Sequence, residues 1–322
     1  LYGTVALLEE DERRRIKGVV VNKFRGDRAI LEPGLKTLEQ LCGIPVAGVI
    51  PYTHVDIDDE DSLTERFGRA KERKLLDIAV IRVPRISNFT DFSPFEHYEN
   101  VSLRYVDQVS DLHQPDMILL PGTKSTIADL LWLRQSGLEA AILKYAASGG
   151  VVLGVCGGYQ MLGEELDDPD GSESGRPQTL RGLGLLPTRT VFTAQKRRTQ
   201  QTADVTAEPF AGAKLEGYEI HTGRTTVKGE AFCTGADGQP EGCVQGNVYG
   251  TYLHGLFDTG ELTGKLTAFL CQRKGMDPAE ADLIPMEAYR QQQFDILADG
   301  VRGALDMKAV YGAMGMQKGK SV

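Results

Sequence analysis

The chain has 322 residues, 41% of them hydrophobic and 25% charged, with a formal net charge of −9. These are ordinary globular values with room for about two domains, and the acidic balance argues against nonspecific nucleic-acid binding. No apolar run approaches the ~18 residues of a membrane helix, and no signal peptide is visible. The cysteines (Cys42, Cys156, Cys233, Cys243, Cys271) form no C-x-x-C pair, which suits a reducing, cytoplasmic setting and offers no disulfide framework or zinc site.

The opening LYGTVALLEE reads as the continuation of a helix. GVVVNKF (18–24) and IPVAGVIPY (44–52) are buried-strand patterns around a helical stretch at 32–42. That is a βαβ-like arrangement and needs a parallel sheet. The acidic run DIDDED (56–61) reads as a solvated loop, with magnesium binding as the lesser reading, and KERK (71–74) as a charged linker. A first domain therefore spans 1–74.

A second domain is expected over 75–310. LLDIAVIRVP (75–84), SLRYV (102–106), DMILLP (116–121) and VVLGVC (151–156) read as strands alternating with helices at 125–136 and 138–148. Such alternation predicts a doubly wound, mostly parallel α/β sheet with ligands at the carboxyl ends of its strands. Ser87–Asp91, Gly122, Thr123 and Cys156 all fall at such ends. DDPDGSESGRP (167–177) is a polar loop, 181–253 carries short strand-like segments, and ADGQPEG (236–242) reads as a hairpin tip. Helices near 260–274 and 285–305 finish the fold, the latter with Phe294, Leu297, Val301 and Leu305 as its core-facing stripe. A frayed tail is expected over 311–322.

The chemistry concentrates in VVLGVCGGYQMLG (151–163). A β-branched run ends at Cys156, two glycines follow, and a helix begins. This is the logic of a nucleophile elbow with a thiol in place of a hydroxyl. The helix N-terminus favours a thiolate there. Among five histidines, His54, His97 and His113 read as ordinary surface or loop residues. His254, in NVYGTYLHGLFD (247–258), closes a short strand just before Gly255 and is the expected base. His221, in EGYEIHTG (216–223), is expected to shape the substrate pocket. The turn at Gly122–Thr123, with the Gly157 N–H, is a candidate oxyanion hole. PGTKST (121–126) is not a phosphate-binding P-loop, because Thr123 stands where that pattern needs glycine.

GVCGGYQMLG followed by YLHGLF resembles the class I, triad-type glutamine amidotransferases, in which a Cys-x-Gly-x-Gln run carries the nucleophile. Cys156, Gly158 and Gln160 match that run. VPRISNFTDF (83–92), LLPGTKST (119–126), GLGLLPTRTVF (182–192), GYEIHTG (217–223) and YGTYLHGLFD (249–258) together are similar to the cobyric acid synthase family of cobalamin biosynthesis. VVVNKFRGD (19–27) resembles the end of that family's ATP-using domain.

The resemblance implies a flavodoxin-like amidotransferase core, preceded by the C-terminal remnant of a P-loop-type synthetase domain whose nucleotide-binding half is absent. It implies glutamine as substrate, with Gly158, Gln160 and His221 contacting it. It further implies ammonia delivery to a corrinoid acceptor, the b, d, e and g carboxylates of adenosylcobyrinic acid a,c-diamide. ATP and Mg²⁺ would serve the complete enzyme, with no cofactor or metal on this chain alone. Most class I members carry glutamate two residues after the histidine, where this chain has Leu256, so what orients His254 stays open, with Asp258 one candidate carboxylate. A related amidotransferase, such as the a,c-diamide synthase or a cell-wall type, is disfavoured by VPRISNFTDF and GYEIHTG. A silent partner-binding subunit is disfavoured by intact Cys156 and His254.

Overall fold

The structure, a computed structural model, describes residues 1–55, 73–98, 100–278 and 286–316, so the acidic run 56–61 lies outside the described residues. It contains two compact units, Leu1–Ile57 with Arg290–Val322, and Asp58–Tyr289. Among the described residues, no helix is long and apolar enough to cross a membrane.

In the first unit, two short helices, α1 (Tyr2–Ala6) and α2 (Glu10–Arg13), precede β1 (Val19–Phe24), α3 (Arg28–Cys42) and β2 (Val46–Pro51). β1 and β2 pair in parallel, as the βαβ pattern requires. α3 starts four residues before the expected stretch because Asp27 caps it, accepting from the Ala29 N–H at 2.8 Å. Gly43, at φ 65°, ends it in the left-handed conformation.

The second unit is built on a six-stranded sheet. β3 (Leu76–Ile81) lies second from one edge, and the short β4 (Ile86–Ser87) and a 3₁₀ helix (Phe89–His97) follow it. β5 (Val101–Val106), the short α4 (Val109–Leu112) and β6 (Met117–Leu120) come next. β7 (Gly122–Thr123) leads into α5 (Thr126–Ser136) and α6 (Leu138–Ala147), and β8 (Val151–Val155) into α7 (Gly157–Leu162). β5, β3, β6 and β8 run parallel, and every residue of β3, β6 and β8 is buried. A parallel sheet is covered on both faces, which is why these strands read as continuous apolar runs. Each buried aliphatic side chain contributes about 1.5–3 kcal/mol.

A second, mainly antiparallel sheet follows. β9 (Glu165–Asp168) and β10 (Gln178–Arg181) pair at one edge of β11 (Thr188–Val205), which pairs with β12 (Lys214–Val227). These are two long strands rather than the short segments expected over 181–253. The run KRRTQQ (196–201) has no apolar alternation, so only pairing with β12 reveals it as strand. β13 (Cys233–Gly235) and β14 (Pro240–Glu241) form the expected hairpin around 236–242. β15 (Cys243–Gln245) and β16 (Val248–Thr251) return to the first sheet, β16 in parallel with β8. β17 (Leu253–His254) joins β12, and α8 (Glu261–Arg273) ends the unit.

The C-terminal helices α9 (Met286–Ala304) and α10 (Met307–Ala313) revise the expected second boundary. Residues from Arg290 onward group with the first unit, not with 75–289. Leu305 bridges Gly48 of β2, and the Asp306 N–H donates to the Ala47 carbonyl at 2.7 Å. A β-carbon on Gly48 would overlap the Ala304 carbonyl. The edge of β2 thus holds this segment through backbone groups, which no periodicity announces. Phe294 is 50% exposed and does not join the predicted stripe, whereas Leu297, Val301 and Leu305 are half-buried. Tyr311–Ala313, expected to fray, close α10.

Candidate active site

Cys156 sits between the end of β8 and the start of α7 with φ 53° and ψ −109°. A non-glycine residue held there stores about 1–3 kcal/mol of backbone strain, a mark of functional turns. The turn is enforced by packing. A β-carbon on Gly158 would overlap the Leu120 carbonyl of β6, so α7 can lie this close to the sheet only with glycine at that position. Gly158 therefore serves close packing. The Cys156 thiol donates to the Ile220 carbonyl of β12 at 3.7 Å.

His254 is buried, at 1% exposure, and meets Cys156 through a side-chain hydrogen bond. Its Nδ1 lies 2.6 Å from Asp91 Oδ2, and Asp91 Oδ1 accepts the Gly255 N–H at 3.1 Å. With Nδ1 held by the carboxylate, Nε2 is left for the thiol. Burial disfavours the charged ring, but the hydrogen bonds and charges of Asp91 and Cys156 outweigh it and raise the imidazole to about 10. Asp91 is thus what orients His254, from a 3₁₀ helix 163 residues earlier in the chain. Asp258 lies near Gly255 rather than on the ring nitrogen. The available signal was position: Asp91 follows a parallel strand at its carboxyl end, among the residues already marked there.

Tyr218 stacks on His254 at 5.2 Å and accepts from Asn88 Nδ2 at 2.6 Å. This closes the apolar side of the imidazole.

The structure brings Gly122, Thr123 and Gly157 together, with distinct parts. β7 pairs antiparallel with β4, and the Lys124 N–H donates to the Arg85 carbonyl. Amides alternate sides along such a ladder, so the Thr123 N–H points away from β4. It points toward Gly157, whose β-carbon position would be 3.1 Å from the Thr123 nitrogen. Gly157 opens α7, and its N–H has no intrahelical partner. Gly122 contributes space: a β-carbon there would come within 3.2 Å of His254 Cε1. Asp129 fastens this turn. It is fully buried and accepts from the Thr123 hydroxyl at 2.5 Å and from the Arg85 N–H and Nη1 at 3.2 Å each.

Gln160 is held by three hydrogen bonds. Its Nε2 donates to the Thr222 carbonyl at 3.0 Å and to Tyr252 Oη at 3.1 Å, and its Oε1 accepts from the Thr126 hydroxyl at 2.9 Å. Both amide hydrogens are spent, so Gln160 ties α7 to α5 and β12. His221 stands off the Cys156–His254 pair. Its ring stacks on Tyr252 at 3.7 Å, and its Nε2 is 3.4 Å from Glu219 Oε2. His54 and His113 are exposed, as expected of ordinary histidines.

A thiol on a strained strand-to-helix turn, a carboxylate-held imidazole and two converging amides define a nucleophilic hydrolase of the cysteine–histidine–aspartate type on a doubly wound α/β sheet. The chain belongs to the CobB/CobQ-like glutamine amidotransferase family, whose domain matches residues 77–262, more than half of its length. It is 46% identical over 326 residues to a cobyric acid synthase of Ruminiclostridium cellulolyticum, covering 97% of this chain and 63% of that protein. It is 48% identical over 338 residues to a cobyric acid synthase of Lachnoclostridium phytofermentans, covering 98% and 65%. The chain therefore spans just under two thirds of the length of these relatives. A chain of the solved structure of PurLQS from Thermotoga maritima is 18% identical with a TM-score of 0.47, covering 61% of this chain and 99% of that one.

Proposed function

We propose that this chain hydrolyses glutamine as the amidotransferase portion of a cobyric acid synthase. The observation that carries the hydrolytic reading is the Asp91–His254–Cys156 constellation beside Thr123 and Gly157. The Cys156 thiolate attacks the side-chain amide carbon of glutamine, and the Thr123 and Gly157 N–H groups receive the developing oxyanion. His254 donates its Nε2 proton to the departing ammonia, leaving a glutamyl thioester on Cys156. Water then attacks the thioester, His254 takes its proton, and glutamate leaves as the thiol is restored. Asp91 holds the imidazole in the tautomer and orientation both steps need.

The similarity to cobyric acid synthases supports a corrinoid acceptor, amidated at its b, d, e and g carboxylates, as the destination of the ammonia. ATP and Mg²⁺ would be bound by a further portion of such an enzyme, since this sequence carries no glycine-rich phosphate loop with its lysine. The five free cysteines fit work in a reducing cytoplasm. The test is glutaminase activity of this chain, alone and with a separately supplied ATP-binding portion of a cobyric acid synthase. Glutamate release that depends on Cys156, and corrinoid amide formed only in the mixture, are expected. Tight ATP binding or corrinoid amidation by this chain alone would overturn the division of labour.

A further inference from the structure

Glu241, on β14, is a carboxylate the mechanism above does not use, and its partners lie between the two catalytic residues. β16 ends at Thr251 beside β8 in the parallel sheet, and β17 begins at Leu253 beside β12. The chain therefore changes sheets at the bend Thr251–Tyr252. Both sides of that bend touch the chemistry. The Cys156 N–H donates to the Thr251 carbonyl at 2.8 Å, and His254 follows Tyr252 by two residues. A short run of backbone, Thr251 to His254, thus joins the support of the nucleophile to the base.

A chain that leaves one sheet for another loses its ladder partners there, and a buried N–H without an acceptor is costly. Glu241 supplies the acceptor. Its Oε1 accepts the Tyr252 N–H at 2.6 Å, and its Oε2 accepts the Thr251 hydroxyl at 2.6 Å. The Thr251 hydroxyl oxygen in turn accepts the Leu253 N–H at 3.1 Å, which directs its own hydrogen to the carboxylate. The Cys233 thiol of β13 donates to Oε2 at 3.2 Å. Thr251, Tyr252 and Leu253 are all buried, which leaves water little access to replace these contacts.

The carboxylate is itself held in place. Gly242 follows it at φ 74°, and a β-carbon there would overlap the Gly250 carbonyl of β16. The backbone after Glu241 therefore lies directly against β16, and β15 continues that pairing with Cys243 opposite Gly250. We propose that Glu241 is a positioning residue whose carboxylate fixes the Thr251–Tyr252 bend and so sets His254 against Cys156, an inference whose effect on turnover rests on the glutaminase reading above. A misplacement of about 1 Å in a catalytic pair is worth about a hundredfold in rate. Glu241 acts through the backbone that carries the base, so glutamine binding should be spared.

The experiment compares three variants of the 322-residue chain. Glu241→Leu keeps the bulk and removes the acceptor, Glu241→Gln keeps an oxygen for the Tyr252 N–H, and Thr251→Val removes only the hydroxyl. Glu241→Leu should lower kcat for glutamine hydrolysis at least about a hundredfold, with KM changed by less than about threefold. Glu241→Gln should restore kcat to within about tenfold of wild type, with Thr251→Val between the two. A merely structural carboxylate would not move the ionisation of His254, which burial lowers but Asp91 and Cys156 hold at about 10. A ring displaced from them loses that support, so in Glu241→Leu the NMR titration of His254 and the alkaline limb of kcat/KM should both fall by about one pH unit or more. Folded Glu241→Leu with kcat within about threefold of wild type, or with lower activity but an unmoved His254 titration, overturns the proposal. Should Glu241→Leu not fold, Thr251→Val decides, and an unchanged kcat and His254 titration there overturn it equally. A wild type that hydrolyses no glutamine, while a variant still moves the His254 titration, overturns the glutaminase reading and leaves the placement of His254 by Glu241 standing.

Discussion

The parallel sheet and the β11–β12 ribbon do different jobs with opposite materials. β3, β6 and β8 are wholly buried, and their carboxyl ends hold the Asp91 segment, the Thr123 turn and Cys156 in fixed relation. β11 and β12 are long, paired over many residues, and mostly polar between Lys196 and Thr202. The ribbon supplies walls: Tyr218 over His254, and the Ile220 and Thr222 carbonyls at α7. Burial of apolar area fixes the position of reacting atoms to fractions of an ångström, whereas backbone pairing alone is enough to build a wall from exposed side chains.

If that division is right, damage should fall off from the sheet ends to the outer ribbon. Cys156→Ser should remove glutamine hydrolysis, by roughly four orders of magnitude or more, since a nucleophile and its base act as one unit. In an enzyme joined to its ATP-using portion, amidation from free ammonium should survive. Retained use of glutamine would show that the sheet end does not carry the reaction.

Asp91→Asn should lower kcat by roughly two to four orders of magnitude while leaving glutamine binding largely intact. It also has a pH signature. His254 is raised from 6.5 to about 10 in the fold, so its contribution to stability is full below about 6.5 and is lost as pH climbs through about 10. Without the aspartate the ring loses its main support and burial pulls its ionisation down. The alkaline limb of kcat/KM should then move to lower pH, and the stability decline between pH 6.5 and 10 should flatten. An unmoved limb in a pH–rate series would place the oriented base elsewhere.

Gly158→Ala tests the packing of the elbow. Its methyl group has no room against the Leu120 carbonyl, so thermal or denaturant unfolding should show a loss of about 1–3 kcal/mol, together with a large fall in activity. At the far end of the scale, Arg189→Ala removes pairs with Glu165 at 2.7 Å and Asp167 at 3.0 Å on the outer ribbon. Arg189 is 54% exposed, and the loss should be no more than about 1 kcal/mol with activity unchanged. An effect of Arg189→Ala matching that of Gly158→Ala would erase the contrast between sheet and ribbon.

Much of the second unit was legible in the chain itself. Continuous apolar runs marked the parallel strands, glycines after Cys156 marked the elbow, and His254 stood out by its strand end. These are local signals, because a buried strand, a tight turn and a strand-end histidine each leave a short pattern of residue types. Asp91 was placed at a strand end but given no role, and the hydrogen bonds of Gln160 and the ring stacking of His221 on Tyr252 leave no local pattern.

What only the tertiary structure decided lies between distant segments. The carboxylate that orients His254 comes from 163 residues earlier, and no spacing links the two. The polar strand at 196–201 exists because β12 pairs with it, and α9 and α10 return to the first unit through two backbone contacts at β2. Side-chain periodicity reports which face of an element is buried, whereas these contacts are made by carboxylates, carbonyls and amides whose partners are chosen only when the chain closes on itself.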